Sequence, residues 1–103
     1  MWRENRGWGG IADKVLDPPS ELFRRHVYGC FFDDPHGVRS IEEIGVDNVT
    51  YETDYPHSDS TWPDSARIAA EQTAGLPDDV VHKVLRGNAL TMLGLDENLN
   101  LVR

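Results

Sequence analysis

Two strand-like stretches, VYGCFF at 27–32 and NVTYET at 48–53, are separated by 15 residues that include a helix start signal. That spacing constrains the chain more than any other feature. An antiparallel pair closes through a few turn residues, whereas a parallel pair needs a crossover of a dozen or more. Within the crossover, Ser40-Ile41-Glu42-Glu43 has the S-x-x-E form of a capping box, and Gly45 can end the short helix it opens. Residues 27–54 therefore predict a β-α-β unit whose strands finish at the same sheet edge. The first run lacks alternation, as expected of a strand buried on both faces, which makes Cys30 a small core side chain. The second alternates, with Val49 and Tyr51 on one face and Thr50 and Glu52 on the other.

The flanks continue the α/β order. Ser20 can cap a short helix over 21–26. Pro63 suits the first turn of a helix with Ala66, Ala69, Ala70 and Thr73 on its apolar stripe, stopped by Gly75. Pro77-Asp78-Asp79 open the next, whose stripe is Val80, Val81, Val84 and Leu85. Gly87-Asn88 interrupt that helix and Gly94 ends it. Residues 1–17 read as an irregular arm with a turn of helix near 11–16, whose Trp2 and Trp8 are expected to pack against something. The GWGG at 7–10 lacks the spacing and preceding strand of a dinucleotide fingerprint. Residues 96–103 read as a polar tail, leaving 18–95 as the domain proper. One difficulty follows: parallel strands need covered faces and neighbours on both sides, and only two strands are legible in 103 residues.

Charge and cysteine content remove several function classes. Ten Lys and Arg against eighteen Asp and Glu leave a net charge of −8. Phosphate backbones and anionic membrane surfaces both select for the opposite sign, so no nucleic-acid or membrane partner is expected. Cys30 is the only cysteine, which excludes an internal disulfide and fits a reducing compartment. No apolar run has signal-peptide length or approaches the roughly 20 residues of a membrane span, so a cytoplasmic location is expected.

The chemistry gathers where the strands end. The first delivers Asp33, Asp34 and His36; the second delivers Asp54, His57, Ser58 and Asp59. α/β enzymes build their sites at this carboxyl edge. For 33–36 a plain turn accounts for the composition, with His36 an exposed loop residue. Asp54, at the end of its strand, is expected half-buried, and a carboxylate there needs a metal or a donor to offset desolvation. His82 reads as a solvated helix residue and His26 as structural. H-x-H, H-E-x-x-H, C-x-x-C, G-x-S-x-G and the P-loop are all absent. Asp54 and His57 offer two ligands at most, one fewer than a catalytic zinc usually takes from protein.

The stretch N-V-T-Y-E-T-D-Y-P-H-S-D-S-T-W-P-D-S at 48–65 resembles the last barrel strand and following loop of the amidohydrolase-related proteins. This branch includes aminocarboxymuconate-semialdehyde decarboxylase and related metal-dependent hydrolases and decarboxylases. The likeness extends over P-S-E-L-F-R-R-H-V-Y-G-C-F-F-D-D-P-H-G at 19–37 and L-P-D-D-V-V-H-K-V-L-R-G-N-A at 76–89. It implies an α/β fold that is the C-terminal fragment of a (β/α)8 TIM barrel, the last two parallel strands with their helices. It also implies a divalent metal, zinc or manganese, and a small-molecule substrate in complete members. By position Asp54 would be the metal ligand, or the residue handling the proton of the metal-bound water. His57 would line the pocket, and Asn88 would hold the turn inside the last helices. The family's H-x-H and its other metal histidines are not in this sequence, so no metal site is expected in the chain alone.

Three readings remain open. The chain is an inactive portion of such an enzyme; or several copies pool Asp54, His57 and His36 around a metal; or it is a non-enzymatic module docking through an open sheet edge, onto itself or onto the missing barrel portion.

Overall fold

The computed structural model describes residues 17–102. The expected arm, with Trp2, Trp8 and the helical turn near 11–16, lies outside the described residues apart from Asp17. Helix α1 spans Pro19–His26, strand β1 Gly29–Phe31, α2 Pro35–Arg39, α3 Ile41–Ile44 and strand β2 Val49–Tyr51. Helix α4 follows at Ser65–Thr73. A last helical run then comprises α5 at Asp78–His82, a π-helical turn at Lys83–Gly87 and α6 at Asn88–Leu93.

The strands pair parallel, Gly29 with Val49, Cys30 with Thr50 and Phe31 with Tyr51. The crossover argument is borne out, although the crossover holds two short helices rather than one. The additional helix, α2, starts where a loop is expected, because the Asp34 carboxylate accepts from the His36 backbone N–H at 2.9 Å and Pro35 pre-sets the first turn. Ser40 precedes α3 without making a side-chain cap bond. Helix α1 likewise starts earlier than Ser20 predicts, since Pro19 fits the first helical position and the extended Pro18 precedes it as N-cap.

One face of the two-stranded sheet carries the core. Phe31 and Val49 pack with Ile41 of α3 and Val84 of the π turn, and Val38, Ile44 and Leu76 close around them. The Phe31 and Tyr51 rings meet edge to face at 5.6 Å. The other face carries Cys30, Thr50 and Glu52. Two expectations fail here. Cys30 is exposed rather than a core residue, because the core helices pack on the opposite face. His26 is exposed rather than structural, since α1 buries none of its side chains. In α4 only Ala69 and Thr73 of the four-residue stripe are buried, and the Thr73 hydroxyl donates to the Ala69 carbonyl at 2.8 Å.

Two buried asparagines join the layers. The Asn88 side-chain amide donates to the carbonyls of Val46 and Val49, at 2.7 and 2.8 Å, fastening the last helical run to the start of β2. The Asn48 amide donates to the carbonyls of Arg24 and Val27, at 2.6 and 2.9 Å, tying β2 to the end of α1. Asn88 is therefore structural, but it secures a strand rather than a turn between helices. The π turn carries Val84, 0% exposed, and Asn88, 4% exposed, follows it; four residues apart, both lie on the face of the run that meets β2.

Residues 95–102 form a closed hook, bridged from Leu95 to Leu101. The Asp96 carboxylate accepts from the Asn98 and Asn100 backbone N–H groups at 2.9 Å each. Glu97 pairs with Arg86 at 3.0 Å and His82 at 3.2 Å. The Asn100 backbone donor leads in holding Asp96 below its ordinary value, and the Arg86 guanidinium does so for Glu97.

Two predictions follow from this architecture. Asn88→Ala leaves two strand-edge carbonyls without their donor and should lower stability by about 1–3 kcal/mol in urea unfolding. An exposed control such as Glu43→Ala should stay within about 0.5 kcal/mol of the parent. For the hook, both carboxylates have depressed folded values, so their contribution is complete above the ordinary carboxylate range and disappears as pH falls through the folded values. The Asn98 and Asn100 amide resonances should therefore shift with a midpoint below the ordinary Asp value, while those of β2 stay in place.

Candidate active site

The loop after β2 is built by a short sequence of local bonds. The Glu52 backbone N–H donates to the Phe31 carbonyl at 2.9 Å, extending the ladder one residue past β2. The chain then turns at Asp54, whose φ is 55°. This left-handed region is tolerated by Asp far better than by β-branched residues. Asp54 thus lies in the turn, not in the strand's last residue as the alternation suggests. The His57 backbone N–H donates to the Asp54 carbonyl at 2.9 Å, and the Thr61 N–H reaches back to the Thr53 carbonyl at 3.1 Å. Loop 54–60 is closed at its base by that last bond.

Buried Thr61 anchors the base further. Its hydroxyl donates to Ser65 Oγ at 2.8 Å, and the Tyr51 hydroxyl donates to the Ser65 carbonyl at 3.1 Å. A residue of β2 and the first residue of α4 thereby hold the loop between them. Tyr55 and Trp62, at its two ends, are both exposed and meet edge to face at 5.4 Å.

Within this frame three donor groups converge. His57 Nδ1 lies 2.9 Å from Asp54 Oδ1. Asp59 contributes a carboxylate oxygen, and the ligand atoms of Asp54, His57 and Asp59 all lie within 4.8 Å of one another. The Asp54 side chain is 26% exposed and that of His57 73% exposed. Asp54 is half-buried as expected, with the imidazole as its partner. The donor set, one imidazole nitrogen and two carboxylates, suits a divalent first-row ion.

The residues at the end of β1 do something else. Asp34 caps α2, and Asp33 Oδ1 accepts from Gln72 Nε2 at 3.3 Å. Gln72 of α4 also donates to the Phe32 carbonyl and accepts from the Asp34 N–H, each at 3.0 Å. It holds the β1 loop against α4, a role no local pattern signals. His36 stands exposed in the first turn of α2 and is not part of the Asp54 group. Within the single chain His36 stands apart from Asp54 and His57, because Asp34 draws its loop into a helix.

Below Asp54 on the open face, the Cys30 thiol donates to Glu52 Oε1 at 3.2 Å. That hydrogen bond leads in raising the thiol above its ordinary value, with burial and the Glu52 charge acting in the same direction. Cys30 therefore stays protonated at neutral pH and is no nucleophile. His82 is exposed and paired with Glu97, a surface role as expected. None of the described helices is long and apolar enough to cross a membrane.

If the Thr61 hydroxyl anchors the loop, Thr61→Val should remove its bond to Ser65 while keeping side-chain volume and the Thr61 N–H bond to Thr53. Amide exchange at 54–60 should accelerate about tenfold or more, the equivalent of roughly 1.4 kcal/mol, within the range for an unmade buried hydrogen bond. Exchange in β1 should change much less.

No curated protein matches this sequence. The family model described as amidohydrolase matches residues 1–95, covering both strands, the Asp54 loop and the last helical run. The chain therefore belongs to the amidohydrolase family.

Proposed function

We propose that this chain supplies the last two strands and the final carboxylate of a metal-dependent hydrolase or decarboxylase acting on a small organic substrate, of the aminocarboxymuconate-semialdehyde decarboxylase type, and that it does not catalyse alone. The observation that carries this reading is the position of Asp54. It stands at the carboxyl edge of a parallel pair in a chain of the amidohydrolase family, a family of barrel enzymes. Barrel enzymes take their catalytic groups from that edge. The face opposite the core supports the same reading: Cys30 and Glu52 are exposed there beside the buried Thr50, small or polar as befits a lumen, whereas Phe31, Val49 and Tyr51 face the helices.

The chain's own residues have distinct roles in this proposal. A divalent ion at Asp54 would supply Lewis-acid polarisation and lower the pKa of water. The Asp54 carboxylate accepts or returns a proton at Oδ1 or Oδ2. His57 orients it through the 2.9 Å contact. The Thr53–Thr61 closure keeps both in register with β2.

A non-enzymatic module that docks through its sheet edge is the second reading. It is favoured by one observation: among the described residues the sheet has two strands only, so each has an open outer edge. Such edges recruit strands.

Reconstitution separates the two. The chain would be co-expressed with the polypeptide encoded immediately upstream, read in all frames for an H-x-H strand, and assayed with zinc or manganese. The enzyme reading expects turnover only in the combination, falling about 10²–10⁴-fold with Asp54→Asn, the usual contribution of a positioned acid–base group. A stable complex without turnover, or turnover indifferent to Asp54→Asn, would overturn it in favour of the docking module.

A further inference from the structure

We propose that the outer edge of β1 pairs antiparallel with the same edge of a second copy of this chain, on a two-fold axis through Cys30. This gives the sheet-edge docking reading above, on which it rests, one edge, one register and one occupant.

The two outer edges are unequal. The Gly29 N–H donates to the Asn48 carbonyl at 2.8 Å, and the Phe31 carbonyl accepts from the Glu52 N–H at 2.9 Å. Residues 29 and 31 thus turn their backbone groups to β2, and the alternate residues Tyr28, Cys30 and Phe32 turn theirs outward. The same alternation turns Val49 and Tyr51 away from β1. There, however, the Val49 carbonyl accepts from the Asn88 amide at 2.8 Å, and Val49 and Asn88 are each 4% exposed. The last helical run covers that edge where β2 begins, whereas Gly29 and Cys30 are exposed. At the far end the Phe32 carbonyl already accepts from Gln72, so the accessible ladder is short and centred on Cys30.

Charge selects the occupant. Arg24, Arg25 and His26 precede β1, and Asp33 and Asp34 follow it, all of them exposed. The two arginine side chains stay 48% and 53% exposed despite their pairs with Glu21 and Asp17. Antiparallel pairing about Cys30 puts His26 opposite Asp34, flanked by Arg25 on one chain and Asp33 on the other. The basic approach to each strand meets the acidic exit of its partner, and the two-fold axis makes the contact twice. A copy added in parallel would set basic against basic and acidic against acidic, which costs what the antiparallel pair gains.

Sedimentation equilibrium of the 103-residue chain should show monomer and dimer. Residues that exchange both backbone bonds have Cα atoms about 5.5 Å apart, within disulfide range. Copper-phenanthroline with dioxygen should therefore trap the dimer through Cys30, the oxidant taking two electrons and solvent two protons as the Sγ–Sγ bond forms. Cys30→Pro removes only the outward N–H and should weaken the dimer about tenfold, for two backbone bonds lost per pair. Circular dichroism checks that it folds. Independently of that variant, Arg25→Glu should weaken the dimer about fivefold, and Asp33→Lys added to it should restore both affinity and cross-linking. A chain that stays monomeric up to about 1 mM, the weak end of specific association, overturns the proposal. So does a dimer indifferent to Cys30→Pro and to the charge reversal. Docking onto the upstream polypeptide is decided separately, by the co-expression experiment.

Discussion

Asn88 holds the molecule's two layers together. A parallel pair of three-residue strands has little stability of its own, because each strand has only one hydrogen-bonded neighbour and one packed face. The last helical run must therefore be fixed to β2 by something other than apolar area. The Asn88 amide does this by donating to two carbonyls that flank the strand's entry, and Val84 fills the core one turn earlier. Residues 84 and 88, four apart in the run, share one face of it, so both meet β2. Asn48 repeats the device on the other side, so β2 is held at its amino end by two side-chain amides. The carboxyl end is thereby left free for a loop carrying polar groups.

That loop is positioned by bonds of short range to a frame of long range. Asp54 lies three residues beyond the end of β2, and its placement follows from its left-handed turn and the closure at Thr61. Thr61 is fixed by Ser65 at the start of α4. Helix α4 is in turn fixed by Gln72 to the end of β1. The two strand ends are thus connected through one helix, so that the carboxyl edge behaves as a unit although its acidic clusters have separate duties. Asp33 and Asp34 spend their oxygens on Gln72 and on a helix start. Asp54 keeps an oxygen on His57, and an Asp59 carboxylate oxygen lies within 4.8 Å of both.

The sheet face opposite the core, where Cys30 and Glu52 are exposed, accounts for most of what is unusual in this chain. Burial on both faces, read from the unbroken apolar run 27–32, is the pattern of a strand inside a complete α/β sheet. The run carries that pattern, yet only Phe31 of β1 is buried. Cys30 is then left in view, with a carboxylate as its partner. The strand's composition is thus more apolar than its burial in the two-stranded sheet among the described residues requires.

Much of the architecture was legible in local pattern. The 15-residue spacing and the alternation of 49–52 determined parallel pairing, the face that carries the core, and the edge at which Asp54 emerges. Capping prolines and glycines located most helices within a few residues, since these signals act through neighbouring backbone geometry. Tertiary structure alone decided the rest. Gln72 and Asn88 act on groups about 40 residues away, a relation with no period to detect. Whether Cys30 is core or surface depended on which face the helices cover. That Asp59 rather than His36 stands with Asp54 and His57 depended on one capping bond, from His36 to Asp34, that turns a loop into a helix. Local bonding choices set the elements; contacts between distant segments set which polar groups meet.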